Sequence, residues 1–246
     1  MKHTGLFERT SILVNDTGLA ALKKSHILLA GVGGVGSFAA EALARTGIGQ
    51  ITLIDHDVVS ASNLNRQLVA LNSNIGQKKA QIMKTRILDI NPECKVNIID
   101  EFIRPDDMST VFNKPYDFVI DAIDSLSCKV AFVRSAHEKG YKVISSMGAG
   151  GKIDPTRIQV ADIYKTSICK LARVMRIRLR RQKVKKGVLA VFSTEKPIAP
   201  LPPEPVPGQG RDRAVNGTIS YMPALFGLTI AGEVIKRIIA EHLNQN

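Results

Sequence analysis

An apolar run that breaks on spaced glycines lies near the start of the chain. It reads "HILLAGVGGVGSF", residues 26–38, with Gly31, Gly33 and Gly36 in a G-x-G-x-x-G spacing and Gly34 inside it. Few folds accept this pattern. A buried strand has to stop at Gly31, the backbone has to turn where side chains have no room, and a helix has to start at Gly36. Such a unit aims the backbone N–H groups of residues 35–37, and the positive end of a helix dipole, at one point. That point suits a phosphate.

The segments that follow keep the same grammar. Strands are expected at 50–57, 95–100, 116–124 and 141–151, and helices at 18–24, 36–47, 78–91 and 127–140. Strands alternating with helices predict an α/β fold: a doubly wound, mainly parallel sheet of the Rossmann-like kind. Residues 1–150 read as the nucleotide-binding core, and 151–246 as a basic C-terminal portion integrated with it. In that portion, "KIDPTRIQVADI" (152–163) reads as a strand pair turned at Asp154-Pro155, and 167–182 as a basic helix. The stretch 196–213 holds six of the eleven prolines and reads as an extended loop. Residues 220–243 read as a closing helix. Pro223, Gly227, Gly232, Glu233, Lys236 and Arg237 interrupt its apolar run, so it is expected to be a buried helix and not a membrane span.

The glycine turn serves NAD and ATP equally. Asp55, at the end of the second strand, could hold the ribose of either, with Asp57 beside it. What separates the two is the loop after Asp55. "DHDVVSASNLNRQ" (55–67) brings Asn63, Asn65, Arg66 and Gln67 to the strand end. A hydride-transfer site has no use for such a cluster. A triphosphate does, because a guanidinium fork neutralises oxygens as pyrophosphate leaves. Lys79 supplies a second cation, and Asp124, in "DAID", is placed to hold Mg²⁺. The carboxyl edge of the sheet would gather these groups into one crevice.

Charge and cysteines narrow the class further. Residues 1–150 carry 17 Lys and Arg against 15 Asp and Glu, whereas residues 151–246 carry 17 against 7. The basic second part points to a polyanionic partner. Lys170, Arg173, Arg176, Arg180 and Arg181 are expected to face outward from the helix at 167–182, with Leu171, Val174, Met175 and Leu179 forming its apolar stripe. Cys94, Cys128 and Cys169 form no C-x-x-C pair, so neither a disulfide framework nor a cysteine-built zinc site is expected. The opening residues lack the apolar core of a signal peptide, and a cytoplasmic location is expected.

"GVGGVG", "LIDHDVVSASNLNRQ", "GQKKAQIM" and "DAID" together resemble the adenylating domain of ubiquitin-activating-type enzymes, over about residues 6–150. The resemblance implies Mg-ATP as cosubstrate and transfer of AMP to a carboxylate. It implies Asp55 on the ribose, Asn63, Arg66 and Lys79 around the phosphates, and Asp124 on the metal. It also implies a homodimer in which Arg9 of "FERTSI" reaches into the other subunit's site.

Residues 145–181 and 218–235 resemble one branch of that family, the dehydratases of threonylcarbamoyladenosine in tRNA, with Lys170 standing where that branch has proline. The implied substrate is tRNA carrying that nucleoside. Its threonyl carboxylate would take AMP from ATP, and its own carbamoyl group would then close a ring and expel AMP. Ring closure within one short chain needs no protein thiol. Cys169 therefore reads as a small, half-buried residue at a helix start and not as a thioester carrier. Three other readings compete: adenylation of a small sulfur-carrier protein's C-terminus, an NAD-dependent module, and a non-catalytic RNA scaffold.

Overall fold

A computed structural model describes residues 5–204, 213–214 and 216–243. Seven strands form one sheet: β1 (His26–Ala30), β2 (Gln50–Ile54), β3 (Lys95–Ile99), β4 (Phe118–Asp121), β5 (Val143–Ser146), β6 (Ile158–Asp162) and β7 (Val188–Ser193). Their order is β3-β2-β1-β4-β5-β7-β6, parallel throughout except that β6 runs antiparallel to β7 at the edge. The central strands are buried on both faces, as the unbroken apolar run of "ILLA" requires. Ile27 and Leu29 face one layer, and Leu28 and Ala30 face the other.

The first layer comprises α1 (Glu8–Lys24), α2 (Gly36–Thr46), α3 (Lys79–Ile90) and α7 (Tyr221–Leu243). The second comprises α4 (Met108–Val111), α5 (Leu126–Glu138) and α6 (Lys170–Arg181). Gly47, in left-handed conformation at φ 100°, ends α2 as expected of a C-terminal glycine. No helix among the described residues is long and apolar enough to cross a membrane.

Two elements depart from the sequence reading. The pair expected at 152–163 is a single strand. Asp154 accepts from Thr156 N–H and caps a 3₁₀ turn at Pro155–Arg157, which leads into β6. The partner of β6 is β7, an apolar run to which periodicity assigns no element, and α6 lies between them in the chain. The helix expected at 18–24 begins earlier, at Glu8, and bends at Asn15, where φ is 56°. The Asn15 side chain accepts from Gly18 N–H at 2.9 Å and so caps a second helical stretch. The bend folds the first turns back: the Lys23 ammonium stands 5.4 Å from the Phe7 ring, where a straight helix would separate them by about 24 Å. Of the proline-rich stretch, residues 205–212 lie outside the described residues.

The last helix is tied to the first motif. A Cβ built on Gly227 of α7 would stand 2.2 Å from the Val35 carbonyl oxygen, and one on Gly34 would stand 3.0 Å from Pro223 Cβ. The backbone of α7 thus packs directly against the glycine turn, although about 190 residues separate them in the chain.

Candidate nucleotide site

Strand order reverses between β1 and β4, and a crevice of about 300 Å³ opens there at the carboxyl ends of β1, β2 and β4. Gly31, Gly33, Gly34, Asp55, Asp57, Arg66, Lys79 and Asp124 all line it. Gly31 is left-handed at φ 90°, and a Cβ there would stand 2.6 Å from the Ala122 carbonyl oxygen. Gly36 does not line the crevice but makes it: its Cβ would fall 1.7 Å from the Gly31 carbonyl oxygen. Both positions exclude any side chain.

The acids are organised before any ligand binds. Asp55 accepts from Val32 N–H at 2.6 Å through one oxygen and from Asp57 N–H at 2.9 Å through the other. Burial raises its carboxyl above the ordinary range, while those two N–H groups and Lys79 pull the other way. Lys79, its side chain 6% exposed, pairs with Asp57 at 2.8 Å. Arg66 donates to the Ser62 carbonyl at 2.8 Å and to Asn65 Oδ1 at 2.9 Å, which leaves its guanidinium at the crevice wall.

Some expected roles move. Asn63 is buried away from the crevice, and its Oδ1 accepts from Ser60 N–H at 3.1 Å. It shapes the turn that carries Arg66 and is not among the residues lining the site. Arg9 is exposed in the first turn of α1 and does not line its own chain's crevice.

The basic helix also needs correction. Its buried stripe is Ala172, Met175 and Leu179, whereas Val174 is exposed. Lys170, Arg173, Arg180 and Arg181 are exposed, with the Arg180 guanidinium 5.5 Å from the Tyr164 ring. Arg176 turns inward. It donates to the Thr166 carbonyl at 3.0 Å and to the Thr166 hydroxyl, and so braces the loop before the helix. Cys169 is buried at the N-cap of α6, more deeply than expected.

The sequence reading misses three groups. Glu101, Phe102 and Ile103 form a crevice wall after β3. Gln67, quoted in the loop but given no role, lines the crevice while 9% exposed, and its Oε1 has no partner among the described residues. Asp121, three residues before Asp124, is fully buried against Lys129 at 2.9 Å.

An α/β domain with a glycine turn, strand-end carboxylates, a lysine and an arginine around one crevice is a nucleotide-binding domain equipped for phosphate chemistry. The chain belongs to the ThiF family, whose model matches residues 7–246. It is 41% identical to the tRNA threonylcarbamoyladenosine dehydratase of Bacillus subtilis (strain 168), over 96% of this chain and 95% of that one. It is similar, with a TM-score of 0.87 and 40% identity, to the Escherichia coli tRNA N6-threonylcarbamoyladenosine dehydratase TcdA crystallised in complex with ATP, covering 98% of this chain and 96% of that one. Likeness to a probable molybdopterin-synthase adenylyltransferase of Porphyra purpurea is 39%, but it spans 46% of this chain and 29% of the other.

The unpaired Gln67 oxygen gives a test of what the crevice is kept for. A buried acceptor without a partner costs about 1–3 kcal/mol, and an apolar replacement of like shape removes that cost. Gln67→Met is expected to raise the melting temperature of the ligand-free chain by about 2–4 °C, and to shrink the further rise caused by ATP. Calorimetric melts with and without nucleotide read both. A drop in the ligand-free value would sink the idea.

Proposed function

We propose that this chain is an ATP-dependent dehydratase of tRNA. It adenylates the threonyl carboxylate of N6-threonylcarbamoyladenosine and promotes its cyclisation, releasing AMP and pyrophosphate. The observation that carries this reading is the single crevice lined by the glycine turn, Asp55, Arg66, Lys79 and Asp124. It lies in a chain that matches dehydratases end to end and not over the core alone.

The residues take their roles from position. The glycine turn and the start of α2 receive phosphates, and Asp55 accepts the ribose hydroxyls. Lys79 exchanges Asp57 for phosphate oxygens, and Arg66 exchanges Ser62 and Asn65 for them, so that charge leaving with pyrophosphate is neutralised. Asp124 lines the crevice, and a carboxylate is the kind of donor a hard cation takes. Mg²⁺ held by Asp124 would supply further charge neutralisation on the phosphates. The buried Cys169 has no part in ring closure, which proximity within the substrate drives.

The finer assignments follow the same reading. The chain works in the cytoplasm as a homodimer, with Arg9 acting on the partner's site. Phe7, two residues before Arg9, packs where a Gly47 side chain would be, at the far end of α2 from the crevice, and Arg9 is not among the residues lining its own chain's crevice. Ile12 and Leu13 beside it are 78% and 87% exposed, an apolar surface suited to a second subunit. Residues 1–150 carry the nucleotide chemistry. Residues 151–246 carry the RNA contact, through Lys170, Arg173, Arg180 and Arg181.

The direct test uses bulk tRNA from cells lacking their own dehydratase. Incubation with Mg-ATP, digestion and mass measurement should show threonylcarbamoyladenosine losing one water, and no loss with Asp124→Ala. An unchanged nucleoside with the wild-type chain would remove this substrate and favour a sulfur-carrier protein. In the same assay, Arg9→Ala and Asp124→Ala chains mixed together should recover activity that neither has alone, because a mixed dimer keeps one intact site. Failure of mixtures to recover would refute action in trans. Replacing both Arg173 and Arg181 by Ala should weaken tRNA binding and flatten its dependence on salt by about two phosphate contacts. An unaltered salt slope would move the RNA elsewhere.

A further inference from the structure

Beneath the crevice lies an ion pair that no step above uses. Asp121 and Lys129 are 0% and 1% exposed and stand 2.9 Å apart. Asp121 also accepts from the Ser145 hydroxyl at 2.6 Å on the same oxygen, and from Ile123 N–H at 3.1 Å on the other. The Lys129 ammonium donates in addition to the Ile123 carbonyl at 3.1 Å. Both backbone polar groups of Ile123 are therefore held by one buried pair. The Ile123 carbonyl belongs to the peptide unit that joins Ile123 to Asp124. Ala122, Ile123 and Asp124 all line the crevice, and Ala122 presents its carbonyl to Gly31.

Burying two charges is costly, and replacing such pairs by apolar residues is often neutral or stabilising. Packing alone therefore does not explain this one. What the pair does that apolar residues could not is hold both backbone polar groups of one residue, and with them the two peptide units that flank it, at the edge of the site. We propose that Lys129, locked to Asp121, is a positioning residue for the nucleotide site: it fixes the Ile123–Asp124 peptide and so sets where the Asp124 carboxylate stands. Neither Lys129 nor Asp121 reaches the crevice, so each acts through the wall. The proposal rests on the crevice being an ATP site.

The test is a double-mutant cycle on the full chain. ATP affinity is measured by calorimetry for wild type, Lys129→Met, Asp124→Ala and the double variant, with hydrogen exchange followed over residues 120–126. A misplacement of about 1 Å can cost on the order of 100-fold in rate. Lys129→Met is expected to weaken ATP about tenfold, and no more than Asp124→Ala does. Exchange at Ile123 and Asp124 should quicken while β1 and β5 keep their protection. Added to Asp124→Ala, Lys129→Met should cost less than about twofold more, since the two act through one carboxylate.

Should Lys129→Met fail to fold, Asp121→Asn with Lys129→Met removes the charge and keeps the volume. It should regain the melting temperature but not the affinity. A Lys129→Met loss that multiplies in full in the Asp124→Ala background overturns the role, as does affinity restored together with stability in the neutral pair. A wild-type chain that binds no ATP overturns the reading of the crevice and the proposal together. Unchanged affinity in Lys129→Met beside a loosened Ile123 overturns the proposal alone.

Discussion

The site depends on one close approach: the backbone of β1 at Gly31 against the end of β4 at Ala122. Ala122 N–H donates to the Ala30 carbonyl at 2.8 Å, and the Ala122 carbonyl fills the space a Gly31 side chain would need. The next turn closes as tightly, with Gly36 against the Gly31 carbonyl. Two glycines therefore let the strand end, the turn and the helix start share one small volume. The glycine turn and the start of α2 are aimed by that contact. A methyl group at Gly31 would push apart the two strands whose reversed order creates the crevice, and one at Gly36 would push the start of α2 off the turn.

Charges around the crevice are paired off in advance. Lys79 holds Asp57, Arg66 holds backbone and Asn65, and Asp55 holds two N–H groups. A nucleotide entering here exchanges partners and does not meet bare charges. This lowers the cost of keeping a mostly buried lysine, which would otherwise need full hydration. It also orders the site, because each side chain is already held in place at the crevice by a protein partner. Asn65 extends this ordering by donating to the Thr218 carbonyl at 3.0 Å, just before α7. The loop that carries Arg66 is thus tied to the helix that backs the glycine turn.

Much of this was legible from local pattern. Gly31 to Gly36 announce a strand–turn–helix by sterics alone, and Asp55, Lys79 and Asp124 lie near strand ends or helix starts that alternation places on one edge, with Arg66 in the loop between Asp55 and Lys79. What was not legible depends on contacts across the chain. Nothing near "VLAVFS" says that its partner is β6, which precedes it by a whole helix. The resemblance points Asn63 at the phosphates and helical spacing points Arg176 outward, whereas Asn63 accepts from Ser60 N–H and Arg176 donates to the Thr166 carbonyl, each a backbone group of its own neighbourhood. Val174 was placed in the stripe because it is apolar, although Ala172 sits on the buried face. Asp121 did leave a trace. An acid inside the apolar run "FVID" must find a buried partner, but its spacing to Lys129 crosses a strand end and a helix start, so pattern alone could not name the pair.

The placement of α6 joins the two parts of the chain into one device. Helix α6 packs on α5, and Arg178 lies 3.4 Å from the Ser127 hydroxyl in the first turn of α5. Ser125 and Cys128, on either side of Ser127, line the crevice next to Asp124. The basic helix therefore stands one short helical turn from the acid proposed to hold the metal. A polyanion lying along Lys170, Arg173 and Arg181 could project a small group past the start of α5 toward the phosphates. A substrate that is both a large polyanion and the bearer of one small carboxylate, as proposed above, would use the basic face and the crevice together.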